Sequence, residues 1–358
     1  MTVVVIGAGL AGLSAAWELL RAGAGAGADI VVLESERRAG GVVVTERFDG
    51  FVVEGGPDGF LAVEPDIQQL ACELGLEDRL VDQMARGSML WTGQQLESLA
   101  EGRAAQLLGI DLQGRSGDEL DRGFRSFAGG MAEIVDALTA PLGPAVRTAQ
   151  GVTGIAPRGR RWQIAVAGGS VLEAEAIVLA VPAWVAARLL ASVGVPGARE
   201  LDGVMYYPSI TVSLAYRAEQ LTGTLAGAGF VSAWESGGAV RACTYAWLKY
   251  PGRAPQGHAL LRAFVGPVDG DPAAVAHAEL AKILGVSGTP VWTRAFQWVR
   301  GLPRYKPGHA GHVAKVRERF GRFAPLDVAG AGFDGAGVSA CVKSGREAAK
   351  RVLRRLGA

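Results

Sequence analysis

The stretch from Val3 to Glu34 constrains this chain more than any other. Val3-Val4-Val5-Ile6 is an unbroken apolar run, Gly7-Ala8-Gly9-Leu10-Ala11-Gly12 follows at once, a helical run reaches Leu20, and Asp29-Ile30-Val31-Val32-Leu33 ends in Glu34. A buried strand, a G-x-G-x-x-G turn opening a helix, and a second buried strand closing on an acid form the βαβ fingerprint of dinucleotide binding. Gly7 permits the tight turn, Gly9 lets backbone N–H groups approach a pyrophosphate, and Gly12 lets the helix sit close on the sheet, with Leu10 and Ala11 in the same cofactor-binding turn. The pyrophosphate would rest on the positive end of the helix dipole. Glu34, which stands 22 residues beyond Gly12, would accept hydrogen bonds from ribose hydroxyls. That argues against a 2′-phosphate, and so against NADP.

At 358 residues the chain exceeds what one hydrophobic core supports, so two domains are expected. The formal net charge of +1 gives no electrostatic case for nucleic acid or an anionic membrane. The longest uncharged apolar run, Ala176 to Ala187, is too short to span a bilayer and contains Pro182. The apolar N-terminus lacks the basic n-region of a signal peptide, and a cytoplasmic protein is expected. Cys72, Cys243 and Cys341 are odd in number and lack metal-ligand spacing, which predicts buried thiols and no metal site.

A plain NAD-binding domain would continue with a crossover helix. This chain instead gives Ser35-Glu36-Arg37-Arg38-Ala39-Gly40-Gly41, then β-branched Val42 to Thr45 and Phe51 to Val53. Arg38 with Gly40 and Gly41 is placed to clamp a pyrophosphate from the other side. Glu54-Gly55-Gly56-Pro57 offers bare backbone for a flat ring. Beyond it, the pattern predicts a helix over 65–74, a hairpin around Thr92-Gly93-Gln94, a loop from Ala100 to Phe124, and a helix over 131–139 stopped by Pro141 and Gly143. Strands are expected at 146–148, 162–166, 171–174 and 177–180, then a helix to Leu190. A second block has strands at 210–216, 241–247, 259–264 and 291–297 with a helix over 271–284, which reads as an antiparallel sheet covered on one face. Leu326 to Gly330 is a last sheet strand, and Ala331 to Val338 a second glycine-rich turn opening a terminal helix.

The run Glu34 to Gly41 resembles the FAD-binding half of the flavin amine oxidase superfamily, which implies FAD on the first strand. More specific strings resemble the protoporphyrinogen and coproporphyrinogen oxidases: Gly50-Phe51 with Glu54 to Pro57, Gly129-Gly130-Met131, Ala242-Cys243-Thr244 with Lys249-Tyr250-Pro251, Leu260 to Gly266, Trp298 to Tyr305 with Gly308-His309, and Asp334 to Val338 through Cys341 with Ser344 to Ala349. They fall in family order across nearly the whole chain. The implied architecture is α/β, a discontinuous FAD-binding domain (1–90, 127–200 and 299–358) and an α+β substrate domain with an antiparallel sheet (201–298). Residues 91–126 replace a long helical insertion of the family. The implied cofactor contacts add Gly56, Pro57, Val152, Trp298, Gly330, Gly337, Val338 and Ser339. The dipole of the terminal helix would stabilise negative charge on the reduced ring.

The implied activity is an FAD-dependent oxidation of a porphyrinogen with dioxygen, in haem biosynthesis. No catalytic side chain is required, because the flavin carries the chemistry. The substrate carboxylates need cations, and Arg300, Arg304, Lys249 and Arg253 are candidates that could equally be ordinary surface charges. Trp298, Trp247 and Tyr245 could stack on a flat ligand or simply fill a core. Of the histidines only His309 lies in a matched string. Where relatives carry a basic pair this chain has Ala62-Val63-Glu64, so a cationic substrate such as an amine, or a binding relative without turnover, stays open.

Overall fold

The computed structural model describes residues 1–23, 29–100, 103–107, 119, 122–223 and 225–357. Most of the expected loop from 100 to 124 lies outside them, although Arg103–Leu107 is helical. No helix among the described residues is long and apolar enough to cross a membrane.

A five-stranded sheet carries the first half of the fold, in the order Val146–Arg147, Asp29–Leu33, Thr2–Ile6, Ala176–Leu179, Leu326–Val328. Every pairing in it is parallel. Such a sheet is covered on both faces, and the strands Thr2–Ile6 and Ala176–Leu179 are accordingly buried through almost all of their length. One face packs on the helices Leu10–Gly23, Ala132–Leu142 and Val338–Leu356, and the other on Ala183–Ser192 and the meander Val152–Arg158, Arg161–Val166, Val171–Ala174. Val3 and Val5 enter the first cluster, Val4 and Ile6 the second.

The second sheet has seven strands in the order Trp292–Arg304, Met205–Arg217, His258–Val265, Val240–Tyr245, Gly229–Ser232, Ser88–Trp91, Leu96–Leu99. The hairpin expected near residue 93 belongs to it, joined by a parallel pairing of Met89 with Phe230. Helix Pro272–Leu284 covers one face through Ala273, Ala276, Leu280 and Leu284. Hairpin Thr45–Phe48/Phe51–Glu54 packs Phe51 and Val53 on the other, against Leu260, Ala215 and Phe296.

Several expectations shift. The last strand of this sheet runs from Trp292 through Arg304, past the expected boundary at residue 298. Pro303 is tolerated because this is an edge strand, where a missing N–H breaks no ladder. Trp247 leaves the strand expected at 241–247 for a short helix, Ala246–Lys249. The helix expected to stop before Pro141 continues to Leu142 and stops at Gly143, whose φ of 49° ends it. Cys72 is exposed, on the far side of a helix that buries Ile67, Leu70 and Ala71.

Candidate functional site

The glycine turn, Glu34 and Gly330 all lie at the carboxyl ends of parallel strands, where an open α/β sheet takes its ligands. The three fingerprint glycines separate by role. A Cβ on Gly7, whose φ is +104°, would stand 2.3 Å from the carbonyl oxygen of Ala180, and one on Gly12 would stand 1.9 Å from that of Gly7. These two close the strand-to-helix packing. A Cβ on Gly9 would meet nothing within 4 Å. Its direction is open space before the amino end of a helix of 14 residues, which suits a bound phosphate.

Glu34 is buried, and its Oε2 accepts from the N–H of Ala8 at 2.7 Å while Oε1 accepts from Glu36 N and Ser35 Oγ. The acid therefore ties the second strand to the glycine turn. Oε1 is filled by its two bonds, and Oε2, with one, has capacity for another. Gln150 N donates to Glu34 O, and Ala149 N to Glu36 O, which lays the segment leading to Val152 beside the acid.

The second wall is the Gly40-Gly41 turn. Gly40 N donates to Ala8 O at 2.8 Å, and a Cβ on Gly41 would lie 3.3 Å from Gly9 Cα. Arg38 braces this turn, donating to the carbonyls of Ala39, Gly41 and Val43. The third wall comes from the far end of the chain. Gly330, φ +110°, would place a Cβ 3.4 Å from that of Ala11. Gly345 lets helix Val338–Leu356 cross helix Leu10–Gly23 so closely that a Cβ there would sit 2.0 Å from Ala11 O. Ser339, the second residue of that helix after Val338, accepts from Ile67 N, and Gly337 lies beside the buried Glu64.

Asp334 anchors the turn between Gly330 and Gly337. Arg317 donates two bonds to its carboxylate, at 2.7 and 2.6 Å, and Ser344 a third. Burial pushes this carboxyl up, but the Arg317 and Ser344 bonds more than offset that and hold it below the usual range. Its stabilisation is therefore present above the unfolded value of about 3.9 and is lost as pH falls through the lower folded value. At pH 7 Asp334→Asn should lose about 1.5–3 kcal/mol in urea unfolding, and the gap to the wild type should close below about pH 4. A gap that does not change with pH would show that the ion pair is not its source.

The turn Glu54 to Asp58 joins the two sheets. A Cβ on Gly56 would stand 1.7 Å from Val42 O, and one on Gly55 2.6 Å from the Phe296 ring. Trp298 Nε1 donates to Gly55 O at 2.8 Å and Arg262 Nη2 donates to Gly56 O. Below the turn, Glu54 accepts from Thr45 Oγ1 and Met131 N, and burial pushes its carboxyl up. Burial acts the same way on Asp58, but Lys249, Arg262 and Arg253 outweigh it and hold that carboxyl down. Lys249 is committed to Asp58 at 2.8 Å. Arg253, 2% exposed, donates to Ala128 O, Ser126 Oγ and Phe127 O.

The other two candidate cations stand apart from that cluster. Arg300 lies 4.5 Å over the Trp184 ring, and Arg304 5.4 Å over Tyr207. Trp184 belongs to the helix that follows strand Ala176–Leu179, and Val299 and Tyr207 are exposed beside them. Each of these cations thus lies over an aromatic face.

A model of the flavin containing amine oxidoreductases matches residues 10–105 and 86–353, nearly the whole length. The chain belongs to this family. Its cofactor class is a flavin and its chemistry that of an oxidoreductase. Among its relatives are proteins named coproporphyrinogen III oxidase from Bacillus subtilis, 23% identical over 98% of this chain and 97% of the relative, and from Propionibacterium freudenreichii, 26% identical over 98% and 90%. The first alignment runs over 460 residues against 358 here, so the relative carries stretches that this flavin oxidoreductase lacks. A solved structure, of a protein provisionally assigned as protoporphyrinogen oxidase from Exiguobacterium sp. 255-15, superposes with a TM-score of 0.85 at 22% identity, covering 100% of this chain and 99% of its own.

Sequence reasoning missed Arg262, Asp58 and the Arg317–Asp334 pair. A signal existed for Arg262, a single charge inside the otherwise apolar run Ala259 to Val265. Asp58 and Arg317 look like any surface charge until the fold brings their partners to them.

Proposed function

We propose that this flavin enzyme binds FAD and oxidises a porphyrinogen, coproporphyrinogen III or protoporphyrinogen IX, with dioxygen as acceptor. What carries the reading is the end-to-end similarity to proteins named coproporphyrinogen III oxidase. The site supports it. Gly9 faces open space, which suits a pyrophosphate, and Glu34 Oε2 has acceptor capacity for a ribose; Gly55 and Gly56 press on Phe296 and Val42 O, so a ring would lie against the other side of that turn. Bound FAD would take hydride equivalents from the methylene bridges and pass them to dioxygen, giving hydrogen peroxide.

The side chains then have positioning to do. Arg300 and Arg304, over Trp184 and Tyr207, would present charge to propionate groups and, with those rings, aromatic faces to the macrocycle. Lys249 and Arg253 are committed to internal partners and hold the turn beneath the ring.

Two measurements test this directly. Cofactor released by acid from the purified protein should be FAD, and the yellow protein held without oxygen should bleach on adding coproporphyrinogen. FMN, or a flavin bleached by amines and untouched by porphyrinogens, would contradict the assignment.

A further inference from the structure

We propose that Arg262 is a positioning residue for the flavin, fixing the Gly56 carbonyl and placing a positive charge that no acid hydrogen-bonds under the turn on which the ring rests. The proposal deepens the FAD reading above and depends on it.

Arg262 sits in strand His258–Val265, in the middle of the seven-stranded sheet, and is 5% exposed. A guanidinium is costly to bury, and this one is not fully repaid. One nitrogen donates to Gly56 O, the Cζ lies 4.9 Å over the Phe264 ring, and the buried Nε has no hydrogen-bond partner among the described residues. Neither nearby acid hydrogen-bonds it. Asp58 is taken by Lys249, and Glu54 by Thr45 and Met131, with Arg253 at 3.8 Å. Among the described residues, three cations, Lys249, Arg253 and Arg262, thus face two acids, Glu54 and Asp58.

The hydrogen bond from Trp298 also sets which way the Gly55–Gly56 peptide faces, while Arg262 holds the next carbonyl, of the N–H-free Gly56–Pro57 peptide. In a trans peptide the C=O and N–H point in opposite directions. With the Gly55 carbonyl drawn to the indole, the N–H of Gly56 points away from the indole. A positive charge held under such a turn favours electron-rich, reduced flavin over oxidised flavin.

The test is the midpoint potential of FAD in the holoprotein, read against redox dyes. Arg262→Gln should keep its flavin through the glycine turn and Glu34, yet lower the reduced-to-oxidised ratio about tenfold at a fixed dye potential; Arg262→Lys should recover most of that. Asp58→Asn, which removes an acid, should shift the ratio the other way. An unchanged ratio in Arg262→Gln overturns the proposal. If that variant does not fold, Arg262→Lys and Asp58→Asn decide, and an Asp58→Asn ratio that stays or falls overturns it. Wild-type protein that takes up no flavin would remove the FAD reading and this proposal together, whereas yellow protein with unshifted variants would remove only the proposal.

Discussion

Gly9→Ala should purify as a folded protein without flavin, while Gly12→Ala should not fold stably. The two substitutions add the same methyl group three residues apart, and only the surroundings differ. At Gly12 the new carbon would stand 1.9 Å from a backbone oxygen of Gly7, a residue itself pinned by Ala180. Neither backbone can move without parting helix Leu10–Gly23 from the sheet. The expected cost is on the order of 3–5 kcal/mol, a large share of the roughly 5–15 kcal/mol that holds a typical protein folded. At Gly9 the carbon enters open space, and φ is not in the left-handed region, so alanine fits the backbone. The change in stability should be within about 0.5 kcal/mol. That space is where a pyrophosphate must approach the N–H groups, so flavin absorbance should be lost while the thermal transition of the flavin-free protein stays put. Gly9→Ala protein that remains fully yellow would show that no phosphate sits there.

Arg253→Met should cost about 3–5 kcal/mol in urea unfolding, because it removes the cation closest to buried Glu54 and strips three bonds from the segment Ser126 to Ala128. Arg300→Ala supplies the contrast. Its guanidinium rests over the Trp184 ring, where a cation–π contact contributes about 0.5–1 kcal/mol, so stability should barely change while KM for a porphyrinogen rises. An Arg253→Met protein as stable as the wild type but with a raised KM would return Arg253 to the substrate site.

These contrasts also mark what could be read from sequence. The βαβ unit was legible because its information is local: double-faced burial makes Val3 to Ile6 and Ile30 to Leu33 uniformly apolar, and the backbone contacts of Gly7 and Gly12 admit no other residue. The edge strand Trp292–Arg304 extends past the expected 291–297 because Pro303, which a central strand would exclude, is acceptable at the sheet edge, and edge position is not legible locally. The pairing of Ser88–Trp91 with Gly229–Ser232 joins segments far apart in the chain and leaves no local trace. The same holds within the site. Lys249 and Arg253 were rightly noticed as charges, but the chain does not say which cations will be spent on Asp58, Ser126 and Glu54 and which will face outward.

The most direct measurement is porphyrin fluorescence, followed in air after adding coproporphyrinogen or protoporphyrinogen to FAD-loaded protein, beside a flavin-free control that reports autoxidation. A rise that depends on flavin is the predicted result, and the faster substrate identifies the physiological one. No rise above the control from protein that is still yellow would contradict the assignment of a porphyrinogen as substrate.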